Sequence, residues 1–99
     1  DSQCFTDYGS FVETGLDIVF VGTPIPFHAE QTIAALEAGA AVLSEVTMSN
    51  SIEGCQAIVD AVRRTKRTYM LAVNCIYWHF VSQWRDIVLR AGQRISQAA

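Results

Sequence analysis

Three polar residues stand where short apolar segments of the chain end, and each carries a side chain that can bind a polar ligand: Thr23, Glu45 and Asn74. Glu45 is the most informative, because an unpaired carboxylate is costly to bury and must face a cleft, a hydrogen-bond partner or water. The amide of Asn74 offers both a donor and an acceptor to a ligand, or it closes a turn. If the segments are neighbouring parallel strands, all three residues line one crevice at a sheet edge.

Aromatic residues near the C-terminus form a second candidate site. Trp78, His79 and Trp84 are spaced so that they could stack on a flat ring system. Trp84, however, falls on the apolar stripe of a predicted helix, and this position favours a place in the core. We expect Tyr77 and Trp78 to contact a further domain.

The cysteines argue against disulfide and metal chemistry. Cys4, Cys55 and Cys75 are an odd number at wide spacing, which matches neither a disulfide framework nor a paired-cysteine zinc site. The one histidine near the predicted crevice, His28, cannot form a metal site alone. The sequence therefore predicts reduced thiols, no metal and a cytoplasmic location.

Composition limits the class of protein. The chain has 99 residues, 51% of them hydrophobic and 17% charged, with a net charge of −3. Nucleic acids and anionic membranes are poor partners for an acidic chain, and no apolar stretch approaches the roughly 20 residues of a membrane span. We expect one small domain, part of whose apolar surface needs a partner. The chain begins without Met or a signal peptide and reads as a piece of something longer.

Three apolar segments predict β-strands at residues 17–22, 41–46 and 68–73. The first is rich in β-branched residues and ends at Thr23-Pro24, a pattern typical of a parallel strand buried on both faces.

Helical periodicity fills the intervals between these strands. One helix is predicted after Phe27, with Pro26 in its first turn and Gly39 at its C-cap. Asn50 and Glu53 resemble a capping box that opens a second helix. The apolar stripe of this second helix is Ile52, Cys55, Val59 and Val62.

Helices are also predicted near both ends of the chain. A short helix is expected at about residues 7–14, and an amphipathic helix from about Phe80 is closed by Gly92. Residues 93–99 show no strong signal. Alternating strands and helices with short connections predict an α/β, Rossmann-like, three-layer fold with parallel strands and right-handed crossover helices.

The order of these segments resembles the glucose-fructose oxidoreductase and inositol dehydrogenase (Gfo/Idh/MocA) family from about Phe5 to Gly92. Members typically show a strand, Thr-Pro, a His four residues later, Ala-Leu-x-Ala-Gly, and a strand ending in Glu-Lys-Pro. The matching residues here are Phe5-Thr6-Asp7-Tyr8, Leu16-Asp17-Ile18-Val19, Thr23-Pro24, His28, Ala35-Leu36-Glu37-Ala38-Gly39 and Val42-Leu43-Ser44-Glu45.

The resemblance implies that residues 1–99 are the later half of an N-terminal NAD(P)-binding Rossmann domain. The six glycines are scattered and form no glycine fingerprint, so the first βαβ unit is missing, as is the substrate domain. The implied parent is a homo-oligomeric oxidoreductase that uses NAD or NADP on a sugar, polyol or related hydroxy compound. This chain alone should bind the cofactor weakly or not at all and should be inactive.

Five residues are implied as cofactor-binding: Thr23, Pro24, His28, Glu45 and Asn74. Without the resemblance, turn chemistry favours Thr23-Pro24 as a simple strand terminator. With it, the rigid backbone at Pro24 becomes a shelf for a ribose or the nicotinamide. His28 could bind a ribose or could cap and pack, and Glu45 could be a solvated strand end.

One departure from the family pattern bears on catalysis, since Val46 stands where the family has lysine. An ammonium there can hydrogen-bond a reacting hydroxyl, and valine cannot. Either another acid-base group is used or the protein is a non-catalytic nucleotide-binding or structural module, and no catalytic residue is identified. A third alternative, a flavodoxin-like receiver domain, is disfavoured because no acidic cluster follows a strand.

Overall fold

The computed structural model describes residues 3–92 as an α/β unit with strands and helices in alternation. The elements in chain order are α1 (Tyr8–Val12), β1 (Ile18–Val21), α2 (His28–Glu37), β2 (Ala41–Ser44), α3 (Ile52–Thr65), β3 (Tyr69–Leu71) and α4 (His79–Ala91). Short 3₁₀ helices, Ile25–Phe27 and Asn74–Tyr77, precede α2 and α4. Residues 93–99, in which the sequence showed no strong signal, lie outside the described range.

The three strands form one parallel sheet in the order β1-β2-β3, as the sequence predicted. The register pairs Val19 with Val42 and Val42 with Tyr69. Each strand is shorter than its apolar segment, because the last residues of each segment turn away into the connecting loops.

The helices cover only one face of this sheet. Val19 and Val21 of β1 are each 2% exposed, whereas Ile18 and Phe20 are 69% and 60% exposed. The prediction of a strand buried on both faces is therefore wrong for the described residues. Crossovers between parallel strands are right-handed as a rule, and successive ones in one direction bring their helices to the same face. Here α2 packs against α3, and α1 packs against α2. The described residues thus supply two layers of the three that were predicted.

The hydrophobic core lies between the sheet and these helices. Leu36 of α2 and Ala61 of α3 are fully buried against Val19 and Val42 of the strands. Gly39, with a φ of 96°, follows α2 in the left-handed region, where glycine avoids the strain that a side chain brings. Pro26 lies in the 3₁₀ helix before α2, so α2 begins later than the sequence predicted.

The N-terminus of α3 differs from the predicted capping box by one residue. Ser51 is the N-cap, and its Oγ accepts a hydrogen bond from the backbone N–H of Gly54 at 3.0 Å. The buried residues of α3 are Ile58 and Ala61, while Ile52 of the predicted stripe is 83% exposed. The other three residues of the predicted stripe, Cys55, Val59 and Val62, are half-buried, and Val62 packs against the core, so only the first residue of the stripe lies outside the packed face.

Replacing Ser51 with alanine should lower the free energy of unfolding by about 1 kcal/mol, because the N–H of Gly54 loses its acceptor. Asn50→Ala is the matched control and should change the free energy by less than about 0.5 kcal/mol. Urea unfolding followed by circular dichroism measures both variants. A larger loss in Asn50→Ala than in Ser51→Ala would restore the originally predicted capping box.

Helix α4 has no buried residue among those described, so the predicted core position of Trp84 is wrong there. Trp84 is 63% exposed, and its ring lies 5.2 Å from that of Phe80, which in turn lies 5.5 Å from Trp78. The helix packs on the short 3₁₀ helix before it and leaves its apolar stripe open. None of the described helices is long and apolar enough to cross a membrane.

Candidate functional site

The three polar residues that follow the strands lie at one edge of the sheet. Thr23, Glu45 and Asn74 come after the last residues of β1, β2 and β3, and the strands are adjacent and parallel. Their predicted location at the carboxyl edge is confirmed. All three are exposed, so each can meet a ligand at the place where open α/β sheets bind one.

Glu45 combines a fixed backbone with an available side chain. Its backbone N–H donates to the carbonyl of Val21 at 2.8 Å, which extends the sheet by one hydrogen bond beyond β2. Its carboxylate makes no hydrogen bond or ion pair with any other residue in the described range 3–92. A carboxylate held in this way can accept hydrogen bonds from the hydroxyls of a ligand.

Thr23 is held by a residue that sequence reasoning missed. The Thr23 hydroxyl donates to Oε1 of Gln31 at 2.6 Å, and the backbone carbonyl of Gln31 accepts from the hydroxyl of Tyr8 at 2.8 Å. Burial raises the pKa of the Tyr8 phenol and so keeps this donor protonated. Thr23 can therefore act towards a ligand as an acceptor. The only signal in the sequence was the position of Gln31 one turn into the helix after Thr23-Pro24.

His28 is fully buried at the start of α2, with an exposed fraction of 0%. Its Nε2 lies 2.6 Å from the carbonyl oxygen of Thr23, and its Nδ1 lies 2.7 Å from that of Thr47. Neither ring nitrogen is left for a ribose. Of the two interpretations of His28, the one in which it packs and hydrogen-bonds within the protein describes this structure. The ring joins the loops that follow β1 and β2.

Asn74 stands at the rim of a groove of about 280 Å³ on the open face of the sheet. The walls are mainly apolar and include Leu43, Met70 and Ile76. An apolar wall with one amide at its rim can hold a flat ring that carries a polar substituent.

Positive charge is concentrated away from this edge. Helix α3 runs from the carboxyl end of β2 to the amino end of β3, so its last turn, with Arg63 and Arg64, lies at the opposite edge. Arg64 forms an ion pair with Glu37 there. The carboxyl edge thus offers neutral and acidic hydrogen-bonding groups, and the basic run at the end of α3 lies at the opposite edge.

The described residues hold neither a cluster suited to a metal ion nor a disulfide. No group of three or more His, Cys, Asp or Glu side chains converges between residues 3 and 92. Cys4 is exposed, and Cys55 and Cys75 are half-buried, each as a free cysteine.

Comparison with known proteins gives consistent matches. A curated relative, the glycosyl hydrolase family 109 protein of Shewanella baltica, is 36% identical over 62 residues, which are 63% of this chain and 14% of the relative. The solved myo-inositol 2-dehydrogenase of Lactobacillus plantarum shares 21% identity and a TM-score of 0.76, over 89% of this chain and 26% of that one. Biliverdin reductase from Synechocystis, solved with biliverdin and NADP⁺, shares 16% identity and a TM-score of 0.78, over 83% and 26%.

These matches span only a part of each relative, between about a seventh and a quarter of its length. The structural similarities, at such low identity, show the fold, which is that of Rossmann oxidoreductases. The family model described as an oxidoreductase family with an NAD-binding Rossmann fold matches residues 1–73. The chain therefore belongs to the glucose-fructose oxidoreductase and inositol dehydrogenase family.

Proposed function

We propose that this chain forms the nicotinamide side of an NAD- or NADP-binding domain in an oxidoreductase of sugars, polyols or related hydroxy compounds. The observation that carries the proposal is the position of Thr23, Glu45 and Asn74 at the carboxyl ends of three adjacent parallel strands. Open α/β sheets bind their ligands beyond this edge. Membership of the family supports the choice of ligand.

Each residue of the edge has a role in this proposal. The carboxylate of Glu45 accepts hydrogen bonds from ribose hydroxyls, and the amide of Asn74 pairs with the carboxamide beside the apolar groove. Pro24, with a φ of −58°, gives a rigid backbone shelf. His28 acts through the loops that it joins. When bound, the nicotinamide supplies hydride transfer, and the protein supplies orientation and electrostatics.

The names of the similar proteins favour a carbohydrate or polyol as the substrate class. One relative is named a glycosyl hydrolase and a structural neighbour is a myo-inositol dehydrogenase. Glycoside hydrolysis can itself depend on NAD, so a glycoside is compatible with the same cofactor site. We also propose a cytoplasmic location, on the grounds of the three free cysteines, and a homo-oligomeric state by analogy with the family.

A non-catalytic nucleotide-binding or structural module is the second candidate. Val46 favours it, since this residue is 37% exposed in the loop after β2 and cannot exchange a proton. Titration of the full-length parent protein with the cofactor, with and without substrate, separates the two candidates. An oxidoreductase oxidises or reduces its bound cofactor when substrate is added, whereas a sensor binds the dinucleotide without turnover.

Amide chemical-shift mapping with NAD and with NADP tests the proposed site. We expect shifts at the loops after β1, β2 and β3, and none at Asp17 or Ala40, which precede β1 and β2. Glu45→Ala should weaken binding about tenfold or more, because a charge-assisted hydrogen bond is worth about 1.5–3 kcal/mol. Glu13→Ala is the control, because Glu13 is also exposed but lies after α1.

Two results of this titration would contradict the proposal. One is a set of shifts that leaves the loops after β1, β2 and β3 unaffected. The other is a set of shifts centred on the basic turn after α3, which would mean that the dinucleotide follows positive charge alone.

A further inference from the structure

The environment of the His28 ring carries an inference about its charge. The ring is 0% exposed, and each of its two nitrogens faces a backbone carbonyl oxygen, that of Thr23 at 2.6 Å and that of Thr47 at 2.7 Å. A carbonyl oxygen can only accept a hydrogen bond. A hydrogen bond at either ring nitrogen therefore requires that this nitrogen carry a proton and act as the donor.

A neutral imidazole cannot satisfy this arrangement. It has one N–H and one bare lone pair, so in either tautomer one nitrogen would point its lone pair at a carbonyl oxygen. The unprotonated nitrogen and the carbonyl oxygen would then face each other with no proton between them, although they are closer than the atoms of an ordinary N–H···O hydrogen bond. Only the imidazolium form carries a donor on both nitrogens, and the short distances match hydrogen bonds from a charged donor.

We infer that His28 is held as an imidazolium cation that donates to Thr23 and Thr47 at once, and so acts as a positioning residue for the two loops. Burial and the position at the start of α2 both oppose a positive charge. The two carbonyl dipoles are the groups that offset this cost. Neither Glu30, two residues further along the chain, nor Glu45, which follows β2, makes a hydrogen bond or ion pair with the ring in the described structure.

The link fixes the crevice at the carboxyl edge. Thr23 follows β1 and Thr47 follows β2, with Glu45 at the root of the second loop. A ring that holds both carbonyls sets how far apart the two loops stand. The inference about the charge of the ring does not depend on the proposed function. The contribution of the His28 link to cofactor binding does rest on that proposal.

Nitrogen NMR of the full chain labelled with ¹⁵N-histidine tests the charge directly. At about pH 7.5 a free imidazole is roughly nine-tenths neutral. We expect both nitrogens of His28 to carry a proton at that pH and to resonate close together, and the His79→Gln variant assigns the signals. One protonated and one bare nitrogen, or a ring that titrates as a free imidazole does, would overturn the inference.

Hydrogen exchange without cofactor tests the positioning role. In His28→Gln we expect exchange at the hydrogen-bonded amides of Phe27 and Glu45 to rise about tenfold or more, with the amide of Val42 in β2 unchanged. His79→Gln should leave all three unchanged. Uniformly faster exchange, Val42 included, would show that His28 supports the whole fold and would overturn a role confined to the loops. Because neither readout involves NAD or NADP, a failure here is distinct from a failure of the cofactor site.

Discussion

By itself this chain should bind NAD or NADP only weakly and should show no dehydrogenase turnover. The six glycines form no glycine fingerprint, so the chain lacks the turn and helix N-terminus that normally hold the pyrophosphate. Charge-assisted hydrogen bonds of that kind contribute about 1.5–3 kcal/mol each. The loss of two or three of them lowers affinity by several orders of magnitude.

Turnover is expected to fail for a second reason. The chain spans 26% of the myo-inositol dehydrogenase that shares its fold, and the carboxyl edge offers no residue assigned to hold a substrate hydroxyl against the nicotinamide. Holding reactants together is worth on the order of 7–11 kcal/mol in favourable cases. Val46 adds nothing to proton transfer.

Calorimetric titration with both cofactors, and an absorbance assay for nicotinamide reduction over a panel of sugars and polyols, measure these two effects. The complete dehydrogenase from Lactobacillus plantarum with myo-inositol is the positive control in the same assay. Micromolar binding of the cofactor would contradict the prediction. So would turnover that Glu45→Ala abolishes, because the chain would then be a complete small enzyme.

The strands and their order could be predicted because the signal is local. Three apolar segments separated by helical periodicity allow few arrangements, because strands joined through a helix pair in parallel and consecutive strands are usually neighbours. The same rule places Thr23, Glu45 and Asn74 at one edge. The edge therefore follows from the sequence as soon as the strands are identified.

Burial could not be predicted to the same degree, since it depends on what lies across each face. Phe20 and Trp84 have the character of core residues, yet no described element covers them. An apolar stripe shows only that a surface can be buried. In α3, Cys55, Val59 and Val62 of the predicted stripe are half-buried as expected, whereas Ile52 in the first turn is 83% exposed.

His28 shows the limit of sequence reasoning about chemistry. Its type and position suggested either a ligand contact or a packing role, and nothing in the sequence indicated Thr47 as a partner 19 residues away. The carbonyl of Thr47 reaches the ring only because β2 lies beside β1. Backbone partners of this kind carry no signature in residue types.

Leu36→Ala should lower the free energy of unfolding by about 2–5 kcal/mol, because it leaves a cavity in a fully buried position of α2. Leu89→Ala is the matched control, since Leu89 is also in a helix but is 71% exposed. Apart from the difference in helix propensity, it should lower the free energy of unfolding by less than about 0.5 kcal/mol. Natural domains gain about 0.05–0.15 kcal/mol per residue, so the first loss is a large share of what a chain of this size can have. Urea unfolding of the full chain, with the slope compared between variants, measures both losses. Equal losses in the two variants would mean that α2 does not pack on the sheet in solution, and the carboxyl edge that depends on this packing would then lose its support.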